Sequence, residues 1–216
     1  MSFEEKEKRM DEVRHPLERW NYQWCRDHAD SFRSMGLTPN MVTFMALVVR
    51  MIGVWCLWNR YYVMFVVFMY AGMLLDSMDG TMARKFNMFS NFGDAFDHYS
   101  DLYVYIIIFA IMVCRLKHNV TLLILFAVLI FLISWLSIIM MGTCSLYKHN
   151  GHSSGVVSYN VAQKFCKCKT SEEGLKRQAC YLQWFDAMPM NLMFFILIII
   201  FSVCTEKSWK NTTLSL

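Results

Sequence analysis

Long apolar runs separated by short polar stretches set the plan of this chain. Residues 41–59, 61–79, 93–114, 121–143 and 188–204 are each apolar over the roughly 17–25 residues a helix needs to cross a bilayer. That pattern predicts an all-α, polytopic membrane helix bundle with five spans. Ahead of them, Leu17, Trp20, Trp24, Cys25, His28 and Phe32 recur three or four residues apart, while Arg19, Arg26, Asp27 and Asp30 take the other faces. With Pro16 in the first turn and Gly36 after the last, this segment predicts an amphipathic helix lying at the membrane surface, its tryptophans at headgroup level. The run Leu37-Thr38-Pro39-Asn40 ends it and launches the first span. Residues 1–15 form a charged tail, and 148–178 form a polar loop or surface helix.

Composition agrees with this plan. Of 216 residues, 56% are hydrophobic and 18% charged, which excludes an ordinary soluble domain. The organisation expected is a cytosolic tail and interfacial helix over 1–35, followed by one transmembrane domain over 36–216. The polar first 35 residues do not read as a cleavable signal. A net charge of +4 from scattered basic residues argues against nucleic acid and for an anionic lipid surface. The tail and the loops after the second and fourth spans hold 15 of the 21 Lys and Arg. Arg60, Arg115, Lys117, Lys207 and Lys210 lie on the other side, which predicts a cytosolic N-terminus. Asn119 and Asn211 then fall in lumenal glycosylation triplets.

The eight cysteines suggest no disulfide framework. Cys166 and Cys168, with Cys180, His149 and His152 nearby, are residue types that bind zinc. Their C-x-C spacing departs from the usual C-x-x-C and favours reduced thiols in a cytosolic loop.

Chemistry concentrates in residues 76–101. Asp76, Asp79, Gly80 and Ala83 stand at i, i+3, i+4 and i+7, on one helix face; Gly93, Asp97 and Asp101 stand at i, i+4 and i+8, again on one face. If the helices are antiparallel neighbours, four carboxylates converge at the mouth of the bundle. Such a cluster repels itself and is costly to bury, and divalent cations are the simplest compensation; oxygen ligands suit Mg²⁺ or Mn²⁺. The plainer alternative is two helix ends carrying solvated carboxylates. Asp94 falls off that face and suits a helix start. Arg50, in the middle of the first span, has two open readings: an ion pair with an aspartate of the bundle, or a contact to a substrate phosphate.

The run D-x-x-D-G-x-x-A-R, eight residues, then G-x-x-x-D-x-x-x-D resembles the signature of the CDP-alcohol phosphotransferase (CDP-alcohol phosphatidyltransferase) family. Asp76, Asp79, Gly80, Ala83, Arg84, Gly93, Asp97 and Asp101 match all of its fixed positions. The resemblance implies six spans, one more than the hydropathy shows. It also implies two Mg²⁺ or Mn²⁺ ions held by Asp76, Asp79, Asp97 and Asp101, with Asp101 doubling as general base. Gly80, Ala83, Arg84 and Gly93 would receive the CDP and phosphate groups, and His98 could assist proton transfer. The implied partners are a CDP-linked donor, an alcohol or diacylglycerol acceptor, membrane lipid and, by analogy, a second copy of the chain. The implied location is the endoplasmic reticulum or another endomembrane, with the site facing the cytosol.

Two substrate classes compete. Leu74-Leu75-Asp76, Asn87 and Phe92-Gly93 are similar to phosphatidylinositol synthases, which join CDP-diacylglycerol to a polar alcohol, although Leu102 replaces their usual arginine. Phe96-Asp97-His98 is similar to the choline and ethanolamine phosphotransferases, which use diacylglycerol as acceptor. The first is favoured here. A carrier passing ions or protons along membrane carboxylates is the reading from another class. It calls for acidic residues deep in several spans, and 121–143 and 188–204 contain none.

Overall fold

The computed structural model describes residues 7–8, 10–148 and 172–214. His149, His152, Cys166 and Cys168 lie outside the described residues, as do residues 149–171 of the polar stretch. Among the described residues there is no strand. The helices are α1 (Pro16–Ser34), α2 (Pro39–Trp58), α3 (Tyr62–Lys85), α4 (Asn91–Leu116), α5 (Val120–Lys148), α6 (Glu172–Leu182) and α7 (Ala187–Leu214), with a 3₁₀ turn at Gln183–Phe185. Five stretches are long and apolar enough to cross a membrane: α2, α3, α4, Val120–Cys144 and Glu172–Thr205. This is an integral, multi-pass membrane protein with the five spans that hydropathy predicts; the sixth that the resemblance implies does not appear among the described residues.

Contacts divide the chain into two compact units, Asn21–Ala127 with Phe195–Leu216, and Met1–Trp20 with Val128–Phe194. In the first of these, Thr38 caps α2 by accepting a hydrogen bond from the Met41 N–H, with Pro39 at the helix start. Asn59–Tyr61 then turns the chain straight into α3, with Arg60 in the left-handed region at φ 67°. So short a link forces α2 and α3 to run antiparallel. Thr43 meets Asp79, Arg50 meets Asp76, and Gly53 meets Met69, in opposite order along the two helices. A Cβ on Gly53 would sit 3.3 Å from Met69 Cγ and Phe68 Cβ, so the missing side chain sets how closely the pair approaches.

The second span extends to Lys85, past the 79 expected from hydropathy. Nothing in Thr81–Lys85 breaks a helix, and the chain leaves it only near Asn87, at φ 52°. The first half of the motif is therefore wholly helical. Ser90 caps α4 by accepting from the Gly93 N–H at 2.9 Å. α4 runs parallel to α2: Gly93 faces Asn40, Asp101 faces Arg50, and Arg115 donates to the Leu57 carbonyl at 2.6 Å. α2 thus touches both halves of the motif.

The amphipathic helix α1 uses its inner face on protein. Cys25 and Ala29 are buried in one cluster with Val42, Met78 and Met82. Asn21, fully buried, donates to Ser77 Oγ at 2.6 Å, and Lys85 pairs with Asp30 at 2.7 Å. α1 is therefore braced against the end of α3 that carries the motif.

In the other unit Met10, Val13, Met140, Tyr147, Leu175 and Ala179 form a core, and buried Arg14 pairs with Glu7 at 2.8 Å. Glu18 accepts from the Met188 N–H at 2.8 Å. Burial, and next the charge of Asp186, push its carboxyl from 4.5 up to about 7. The folded chain therefore holds a proton on Glu18 that the unfolded chain loses, and stability contributed by that proton is lost as pH rises from 4.5 through about 7. Melting of the detergent-solubilised protein at about pH 5 and about pH 8 checks this: Glu18→Gln flattens the fall in midpoint seen for the parent chain. An unchanged pH slope in the variant contradicts it.

Candidate active site

The motif's acidic residues arrive from α3 and α4. Asp76, Asp97 and Asp101 each offer a carboxylate oxygen, and the offered atoms lie within 4.8 Å of one another. The two halves of the motif face each other, and those three groups meet as their helical spacing predicts. Asp79 stands one turn along α3 and outside that set, nearly buried at 5% exposure. Its Oδ2 accepts from Thr43 Oγ1 at 2.5 Å, and the same hydroxyl reaches the Pro39 carbonyl at 3.1 Å. Thr43 thereby fixes the Asp79 rotamer from the first span.

Arg50 crosses the cluster from α2. One terminal nitrogen pairs with Asp76 Oδ1 at 2.8 Å and the other with Asp101 Oδ1. Of its two sequence readings, the ion pair is the one the structure realises, and it takes in both halves of the motif. Its stem lies against Gly72, where an added Cβ would collide with Arg50 Cγ and come within 3.1 Å of Cδ.

The remaining motif residues surround this centre. Arg84 folds back over Gly80, so that a Cβ there would lie 3.4 Å from its Nη1, and the guanidinium stands 5.8 Å from the Tyr22 ring centroid. Its Nε is buried without a hydrogen-bond partner. Ala83 is half-buried in the turn between them. The space at Gly93 is filled: a Cβ would collide with Asn40 Oδ1 and lie 2.8 Å from Ser90 Oγ. This glycine lets the starts of α2 and α4 touch. His98 is exposed, one turn before Asp101.

Thr43, Gly72, Asn40 and Tyr22 join the site without belonging to the motif. Gly72 carries a usable signal in the sequence, since it precedes Asp76 by four residues on the same helix face. Thr43 and Tyr22 carry none, because only the packing of α1 and α2 against α3 brings them near the motif.

The donor set tests whether a divalent cation suits this place. All the candidate ligands are carboxylate oxygens, the preference of Mg²⁺ and Mn²⁺. Asp97 Oδ1 is buried with no hydrogen-bond partner, an uncompensated acceptor of the kind a cation satisfies. Three carboxylates against one guanidinium also leave the centre short of positive charge. The residues present fit the ion.

A family model described as CDP-alcohol phosphatidyltransferase matches residues 36–206. No curated protein and no solved structure matches the chain.

A cation bound at these carboxylates stabilises the folded protein by mass action. Saturating Mn²⁺ is expected to raise the melting midpoint of the parent chain by an amount equivalent to roughly 2–4 kcal/mol. Asp97→Asn loses most of that gain, as differential scanning fluorimetry with and without chelator reads. Equal gains in the two proteins contradict the assignment.

Proposed function

The chain belongs to the CDP-alcohol phosphatidyltransferase family, enzymes of phosphate-group transfer from a CDP-linked donor, and we propose that it joins CDP-diacylglycerol to a polar alcohol such as inositol. The observation that carries this reading is the convergence of Asp76, Asp97 and Asp101 from the two halves of one motif. In the reaction the alcohol oxygen forms a bond to the phosphatidyl phosphorus. The bond from that phosphorus to the oxygen bridging it to CMP breaks, CMP leaves with the electron pair, and the hydroxyl proton passes to a carboxylate.

Asp76, Asp79 and Asp97 are the proposed holders of two Mg²⁺ or Mn²⁺ ions, with Asp101 shared. Bound there, the ions supply charge neutralisation for the diphosphate and for CMP as it departs. Asp101 is the proposed base. It lies one turn deeper than Asp97 on α4, on the same helix face. Positioning must do much of the work, because a carboxylate beside cations is a weak base. Gly80, with no side chain, and Ala83, with only a methyl, are proposed to leave room for the nucleotide near the helix backbone. Arg84, folded over Gly80 with its Nε unsatisfied, offers a fork of donors to a phosphate. Gly93 is proposed to help shape the phosphate site by letting α4 close on α2. His98 is a weaker candidate for relaying the proton.

Leu74-Leu75-Asp76, Asn87 and Phe92-Gly93 support the CDP-diacylglycerol reading. Phe96-Asp97-His98 supports transfer of phosphocholine or phosphoethanolamine to diacylglycerol as the second. The excess of basic residues beside the motif supports a cytosolic-facing site in an endomembrane. Purified protein with Mn²⁺ and labelled CDP-diacylglycerol, offered inositol, serine or glycerol phosphate, is expected to release CMP and form the matching lipid. CMP release only from CDP-choline or CDP-ethanolamine with diacylglycerol selects the second reading. Asp101→Asn is expected to cut turnover by about 10²–10⁴-fold while the donor still binds. Full turnover in that variant removes Asp101 from the role of base.

A further inference from the structure

We infer that Arg50 is a built-in stand-in for the metal, a protein cation that competes with divalent ions for the carboxylates of the site. The inference rests on the metal-centre reading above and concerns which positive charge the carboxylates hold. Three observations carry it.

The first is which oxygens Arg50 occupies. Asp76, Asp97 and Asp101 are the groups whose oxygens gather, and the guanidinium already holds Oδ1 of Asp76 and Oδ1 of Asp101. Asp97 Oδ1 alone among those three groups is left buried and unpartnered. An ion drawing on the same three carboxylates meets the positive charge of Arg50 beside it, and either takes the oxygens Arg50 leaves or displaces it from those it holds.

The second is that the position is built for this side chain. Arg50 sits mid-span in α2 with only 4% of its side chain exposed, where an unpaired charge is costly. Gly72 opens the slot its stem lies in. No other Lys or Arg forms an ion pair with a motif aspartate among the described residues.

The third is that the arrangement is incomplete. Arg50 Nε is buried with no partner. The guanidinium makes two ion pairs and leaves a donor unsatisfied, so the present pose is not its best possible one. A phosphate brought in by the donor would supply the missing acceptor at the moment the carboxylates are given up to the ion. Binding of the ion and release of Arg50 are then linked, and by reciprocity ion binding and Arg50 pairing oppose each other until the donor is present.

The test titrates Mn²⁺ into the full-length protein without nucleotide, reading free Mn²⁺ by electron paramagnetic resonance. Arg50→Gln removes the competitor and is expected to tighten Mn²⁺ on the order of tenfold. It also lowers the melting midpoint in chelator and regains more of it on adding Mn²⁺ than the parent chain does. Gly72→Ala keeps the arginine but takes away its slot, so it shifts Mn²⁺ affinity in the same direction and carries the test should Arg50→Gln fail to fold. Arg50→Lys, with one ammonium that serves a single carboxylate well, lies between. Mn²⁺ affinity unchanged or weakened in the folded variants overturns the inference and makes Arg50 a brace the ion needs. Absence of Mn²⁺ binding in the parent chain is a different result, which defeats the metal reading and this inference with it.

Discussion

Carboxylates gathered inside a membrane protein must find positive charge. Burial raises the free energy of each ionised group, and neighbours of the same sign raise it further. Asp76, Asp97 and Asp101 meet from two helices, with Asp79 a turn away, so their ionised forms call for positive charge close by. Much of the surrounding structure answers that need. Arg50 supplies one positive charge from a third helix, and Thr43 donates a hydrogen bond to Asp79. The uncompensated Asp97 oxygen shows where protein groups stop and a cation fits.

Helix α2 is the element that makes this possible. It lies antiparallel to α3 and parallel to α4, and it touches both halves of the motif at several levels. Asn40 fills the space at Gly93, Thr43 reaches Asp79, and Arg50 spans Asp76 and Asp101. Close approach depends on small residues, since driving helices together in lipid relies on packing more than on escape from water. Gly53 and Gly72 supply it. α1 adds a brace outside the spans through Asn21 and Ser77, and through the cluster around Met78 and Met82.

The spans and their number are legible in the sequence because a long, nearly uncharged apolar run satisfies its backbone best as a helix across lipid. The carboxylate cluster is legible as well, since Asp76 shares a face with Gly80 and Asp97 with Asp101 at spacings only a helix reconciles. Hydropathy ends α3 too early, because Asp76, Asp79, Gly80 and Thr81 interrupt the apolar run without interrupting the helix. Spacing alone puts Asp79 among the converging oxygens, whereas it stands beside them, held by a threonine from another helix. That contact, like the slot at Gly72 and the ring of Tyr22 near Arg84, depends on which helices pack together and at what height. A single sequence defines the faces of each helix but not the register between helices. Arg50 shows the difference well: a charge in mid-span announces that a partner exists, and only the packed helices show that it has two.

The most direct measurement is a crystal structure grown with Mn²⁺, with data collected at the manganese absorption edge to locate the ion by anomalous scattering. The account predicts an anomalous peak among Asp76, Asp97 and Asp101, within about 2.0–2.3 Å of oxygens drawn from both α3 and α4. Peaks only at surface carboxylates, or none between those two helices, would contradict it.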